Sequence, residues 1–176
     1  MWWTDLPAVP LPDEIKARFA GGKAMAIVGY EVDQVRKAGD KDVDGSILKE
    51  DVSVPINVAY NHHHDAYFTG RHSQMAKVPY DPKDSSIPPM MRADPDFLHM
   101  PVETSPSPRG LPTSAHLAAG NGGEYRKSYH GFAAPVAYVI DSPQSIHCNP
   151  MFIDTWNRCM NISMNISNDI NFFSRW

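Results

Sequence analysis

Apolar and polar residues alternate along three stretches of the chain, with the period of two that a half-buried strand requires. The clearest runs from Val52 to Tyr60, where Val52, Val54, Ile56, Val58 and Tyr60 alternate with Ser53, Pro55, Asn57 and Ala59. Pro55 places this strand at an edge or a bulge, because proline has no N–H to donate to a ladder. Between Lys23 and Val35, the residues Ala24, Ala26, Val28, Tyr30 and Val32 share one face, and Glu31 and Asp33 mark the other as wetter. From Phe132 to Asp141, Val136, Tyr138 and Ile140 stand opposite Ala137 and Val139, which predicts a strand apolar on both faces. Ile146 to Thr155 predicts a further short strand, interrupted at Asn149-Pro150.

A helical signature occurs near the N-terminus. Pro12 to Ala20 has proline and acids in its first turn, Ile15 and Phe19 four apart on one face, and Gly21-Gly22 to end it in the left-handed conformation. Gly39 to Gly45 supplies the turn residues of a hairpin. Between about residues 70 and 128, prolines recur among serines and aspartates, which predicts a long loop or arm lying over the site. The expected architecture is therefore mostly β: a single β-sandwich or jelly-roll domain over residues 1–158, with one short N-terminal helix, long Pro-rich loops and an irregular tail at 159–176.

Composition narrows the function classes. Among 176 residues there are 16 Lys and Arg against 20 Asp and Glu, giving a formal charge of −4 with no basic run to neutralise a phosphate backbone. No nucleic acid is expected as partner. No stretch approaches the roughly 20 apolar residues of a membrane span. The start, Met1-Trp2-Trp3-Thr4-Asp5, lacks the basic and apolar regions of a signal peptide, so the chain reads as soluble with no export address, although an incomplete N-terminus would leave secretion open. Cys148 and Cys159 are spaced for a short disulfide loop or for two reduced thiols, and Asn161-Ile162-Ser163 and Asn165-Ile166-Ser167 fit the glycosylation pattern, which has meaning only in a secreted chain.

The candidate chemistry lies at Asn61-His62-His63-His64-Asp65. Neutral imidazole is the commonest metal ligand, and strand residues two apart point to the same side. His62 and His64 form one such pair, and His63 and Asp65 the other. His130, His147 and the thioether of Met151 are the candidates for completing a shell from elsewhere, with His72, His99, His116 and Cys148 behind them. Copper suits imidazole and thioether together.

The segment Tyr60-Asn61-His62-His63-His64-Asp65-Ala66-Tyr67-Phe68-Thr69-Gly70 resembles the strand of the copper type II, ascorbate-dependent monooxygenases, a His-His pair followed by apolar residues, an aromatic and glycine. The resemblance implies a β-sandwich with one copper on a His-rich site, including the pair matched by His62 and His63, and a second on two histidines and a methionine. It further implies a small-molecule substrate hydroxylated with molecular oxygen and electrons from a small reductant. The chain departs from that family in being about half the length of its two-domain core, in lacking its many cysteines, and in having no later His-x-His, for which His147 and Met151 are a loose substitute. A partner domain completing the site is the expectation if this chain is a fragment.

Fe(II) is the alternative metal. His63-His64-Asp65 is a His-x-Asp triplet that a downstream His116 would complete as a facial triad, and Arg126 stands where it resembles the cosubstrate-binding arginine of iron and 2-oxoglutarate dioxygenases. Against this, Ser114 to Asn121 does not read as the strand that the distal histidine needs. If Val54, Ile56 and Val58 line the core, His62 and His64 point inward and His63 and Asp65 outward unless a bulge shifts the register, and copper ranks above iron. A noncatalytic β-sandwich binding module is the rival reading.

Overall fold

The computed structural model describes residues 2–3, 6–42, 44–86, 96–119 and 128–155. About 51% of these lie in strands and 5% in one helix, which makes the fold mostly β, in antiparallel sheets with no closed barrel.

The short helix α1 spans Asp13–Arg18, with Pro12 at its N-cap, and Gly21 and Gly22 follow it at φ +67° and +80°. Phe19, just past its end, packs against the core. The next apolar run divides into β3 (Ala24–Ile27) and β4 (Gly29–Val32), with Val28 between them at 60% exposure. This corrects the expected face: Met25 and Ile27 are buried and Ala26 is exposed, because the break at Val28 interrupts the alternation.

Strand β5 (Val35–Arg36) pairs with β6 (Val52–Ser53) across the expected glycine turn, which Arg36 ties to Asp42 at 2.9 Å. The long strand expected from Val52 to Tyr60 is cut short. Pro55 ends it by accepting turn hydrogen bonds from the N–H groups of Val58 and Ala59, which leaves Ile56 exposed. A new strand, β7, then runs from Ala59 to Gly70 and contains the whole histidine cluster.

The region expected as a long loop holds strands. β8 (Ser73–Pro79) and β9 (Phe97–Glu103) pair with each other, and β10 (Ser114–Ala119) pairs along β7, so the segment around His116 is a strand after all. Its inward face alternates Ala115, Leu117 and Ala119, a short apolar pattern with two small residues that the surrounding prolines and serines obscure. β11 (Ser128–Gly131) pairs with β4, and β12 (Tyr138–Asp141) with β3. The strand expected from Phe132 thus begins late, after a turn that leaves Val136 exposed. β13 (Pro143–Asp154) is continuous through Asn149-Pro150, where a break was expected.

Together with β1 (Trp2–Trp3) and β2 (Val9–Pro10), β13, β7 and β10 form the main sheet, in the order β1-β13-β7-β10 with β2 also on β13. One face of it is apolar. Ala66, Leu117 and Cys148 form a buried cluster joined by Tyr30, Phe68 and Phe132, and Met25, Ile27, Ala115 and Ile140 form another. The pairs β3–β12 and β4–β11 therefore lie as a second layer over this face, burying apolar side chains of both. Gly70 sits where β7 meets the end of β12: a Cβ there would stand 2.2 Å from the Asp141 carbonyl oxygen, so only glycine fits.

Candidate functional site

β7 is the central strand, flanked by β13 and β10, and its residues divide between two faces with different chemistry. His64, Ala66 and Phe68 look toward the apolar layer. Asp65, Tyr67 and Thr69 look the other way, toward a face that is polar although much of it is buried.

The β7–β13 ladder is irregular at two places, between Pro143 and Ser145 and at the histidine cluster. In the β7–β13 ladder Met151 pairs with His63, but the next residue, Phe152, pairs with Asn61, so His62 is an extra residue in a β-bulge. A bulge sets two residues of one strand against one of its partner and re-aims their side chains. Here the His62 and His63 rings lie side by side, centroids 3.9 Å apart, with Tyr60 5.2 Å from His62. Both histidines and Met151 are partly exposed. The adjacent pair is thus paired across the ladder with a thioether residue, and the simple alternation that would have separated His62 from His63 does not hold.

The remaining candidates fall elsewhere. His64 is 1% exposed on the apolar side, with its ring 6.2 Å from those of Tyr30 and His130. His130, opposite Tyr30 in the β11–β4 ladder, stacks on it at 4.7 Å. His147 is buried on the polar face, 6.4 Å from the Tyr67 ring and 6.3 Å from that of His99. His147 and Met151 stand four positions apart on β13, roughly 13 Å at the usual rise. The six candidates therefore resolve into His62, His63 and Met151 at the bulge, His64 with His130 in the core layer, and His147 on the polar face.

On that polar face Asp65 and His116 are joined. His116 Nε2 donates to Asp65 Oδ1 at 2.7 Å; the carboxylate is 6% exposed and the imidazole 43%. The Tyr67 ring stacks on His116 at 4.5 Å. His116 pairs with Tyr67, four residues along β7 from His63, again roughly 13 Å away. This bond joins the two groups that the facial-triad reading would combine with His63. Arg126 lies outside the described residues, as do Cys159, both glycosylation triplets and residues 159–176. Among the described residues no three His, Cys, Asp or Glu side chains gather as a metal-holding group.

Asn149 was not singled out in the sequence. It is 8% exposed and pairs with Asp65 on β13, and its Oδ1 accepts no hydrogen bond among the described residues. The signal was present: His147, Asn149 and Met151 alternate, and reading β13 straight through Pro150 would have placed all three on one face.

Two further groups are perturbed by their surroundings. The Asp141 carboxyl is held down to about 2 by hydrogen bonds from Ser107, Arg109 and Ser142, against an opposing effect of burial. Burial pushes the Cys148 thiol well above the usual range, with the Asp65 charge adding to it. No protein family, no curated protein and no solved structure matches this chain.

Proposed function

We propose that this chain is a copper-binding protein whose metal is held by His62, His63 and Met151, and that it serves an oxygen-dependent oxidation of a small-molecule substrate. The observation that carries the reading is the bulge at His62, which brings two imidazoles together opposite a thioether. Those three side chains fit Cu(I) in kind: soft thioether with borderline imidazole, and no carboxylate among them. They also lie within two paired strands at partial exposure, so little ordering accompanies binding and a small reductant or oxygen has access. Copper bound there would supply one-electron chemistry with oxygen. The chain's own contribution is to fix the three ligands and to set beside them a polar, partly buried face suited to a small molecule.

Anaerobic titration with Cu(I) against a chromophoric chelator tests this. His62→Ala or His63→Ala is expected to weaken Cu(I) binding at least tenfold, and Met151→Leu several-fold, whereas Asp65→Ala changes it little. Unchanged affinity in both histidine variants would remove the copper reading and favour a noncatalytic binding module. Equal, severe losses of Fe(II) binding in His63→Ala and Asp65→Ala, with His62→Ala unaffected, would favour iron.

A further inference from the structure

We infer that the polar face of the main sheet holds a second site, for a primary ammonium group, formed by Asn149 and Asp65 with His116 behind them. The inference does not depend on copper at the bulge.

Asn149 and Asp65 are directly opposed in the β13–β7 ladder, so their side chains leave the same face with Cβ atoms about 4.5–5.5 Å apart. Both are more than nine-tenths buried. Both present acceptors: the Asn149 Oδ1 receives no hydrogen bond among the described residues, and a carboxylate accepts through both oxygens, of which the bond from His116 uses Oδ1. A buried acceptor left unmet costs its desolvation, so a donor placed between these residues recovers that loss.

The kind of donor follows from charge. The acceptor beside Asn149 is a carboxylate, and a charged donor makes a hydrogen bond to it roughly twice as strong as a neutral one does. A hard metal ion is a poor occupant, because calcium takes 6–8 oxygen ligands and magnesium near-ideal octahedral geometry, whereas two side chains supply oxygen here. An ammonium group has three donors and needs only these acceptors. The neighbourhood suits an organic cation, since Ala118, opposite Asp65 on β10, fills little space.

The test uses the full ¹⁵N-labelled chain, with the Asn149 side-chain amide, identified by its loss in Asn149→Asp, as reporter. Methylammonium is expected to shift this resonance saturably, while methanol, which donates without charge, and tetramethylammonium, which carries charge without N–H, are not. Asp65→Asn is expected to weaken methylammonium binding at least tenfold. An equal response to methanol or tetramethylammonium, or no saturable response to methylammonium, would overturn the site, and the comparison of the three probes on the unaltered chain stands even if a variant fails to fold.

Discussion

At the scale of single residues, the buried polar groups divide into those that hold the fold and those free to serve a ligand. Asp141 is of the first kind, since it is 2% exposed and accepts from Ser107, Ser142 and Arg109 where β12 turns into β13. Its carboxyl is lowered from 3.8 to about 2, so the ionised form contributes stability that is fully present above pH 4 and is lost as the pH falls toward 2. The shift corresponds to about 2 kcal/mol. Ser107→Ala is therefore expected to destabilise the protein more at pH 6 than at pH 2, where the protonated acid no longer rewards its donors, and urea unfolding at the two pH values measures the difference. Asp65 and Asn149 are of the second kind: of that pair, only Asp65 has a hydrogen-bond donor, His116, among the described residues.

At the scale of elements, the decisive feature is an irregularity within β7 rather than the strand itself. Met151 pairs with His63 and Phe152 with Asn61, so removing His62 would make those two pairings consecutive and leave the ladder regular from Ser145 to Asp154. Deletion of His62 is expected to leave the sheet intact, with unfolding stability within about 1 kcal/mol of the unaltered chain, while lowering Cu(I) affinity at least tenfold. Thermal unfolding and the chelator titration, run on the same sample, separate the two effects. A deletion that kept its copper affinity would show that the bulge does not assemble the ligands. The same element explains why parity read from Val54, Ile56 and Val58 does not transfer to the histidines: the turn at Pro55 separates that segment from β7, and the bulge shifts the phase again.

At the scale of the molecule, β7 is the strand on which both layers depend. It is paired on both sides, by β13 and β10, and its residues from His64 to Thr69 are buried or nearly so. Opening its amides requires disrupting the main sheet, whereas β5 and β6 form an isolated pair with two registered positions. Hydrogen exchange is expected to be slowest for residues 64–69 and to proceed early at Val35, Arg36, Val52 and Ser53. Early exchange in the middle of β7 would contradict the central place of that strand. No helix among the described residues is long and apolar enough to cross a membrane.

The sequence by itself determined the mostly-β class, the short helix closed by Gly21-Gly22, the glycine turn after β5 and the segment where imidazoles concentrate, because each rests on local periodicity or on the backbone preferences of proline and glycine. Only the tertiary structure decided which histidines stand together. The bulge at His62 depends on the register against β13, and the Asp65–His116 bond depends on β10 lying beside β7, a pairing between residues 51 positions apart. The small residues of β10 and the proline inside β13 hide both strands from local patterning. A side chain's face follows from its own strand's alternation only while the ladder is regular, and its neighbours across that ladder are chosen by the packing of the whole sheet.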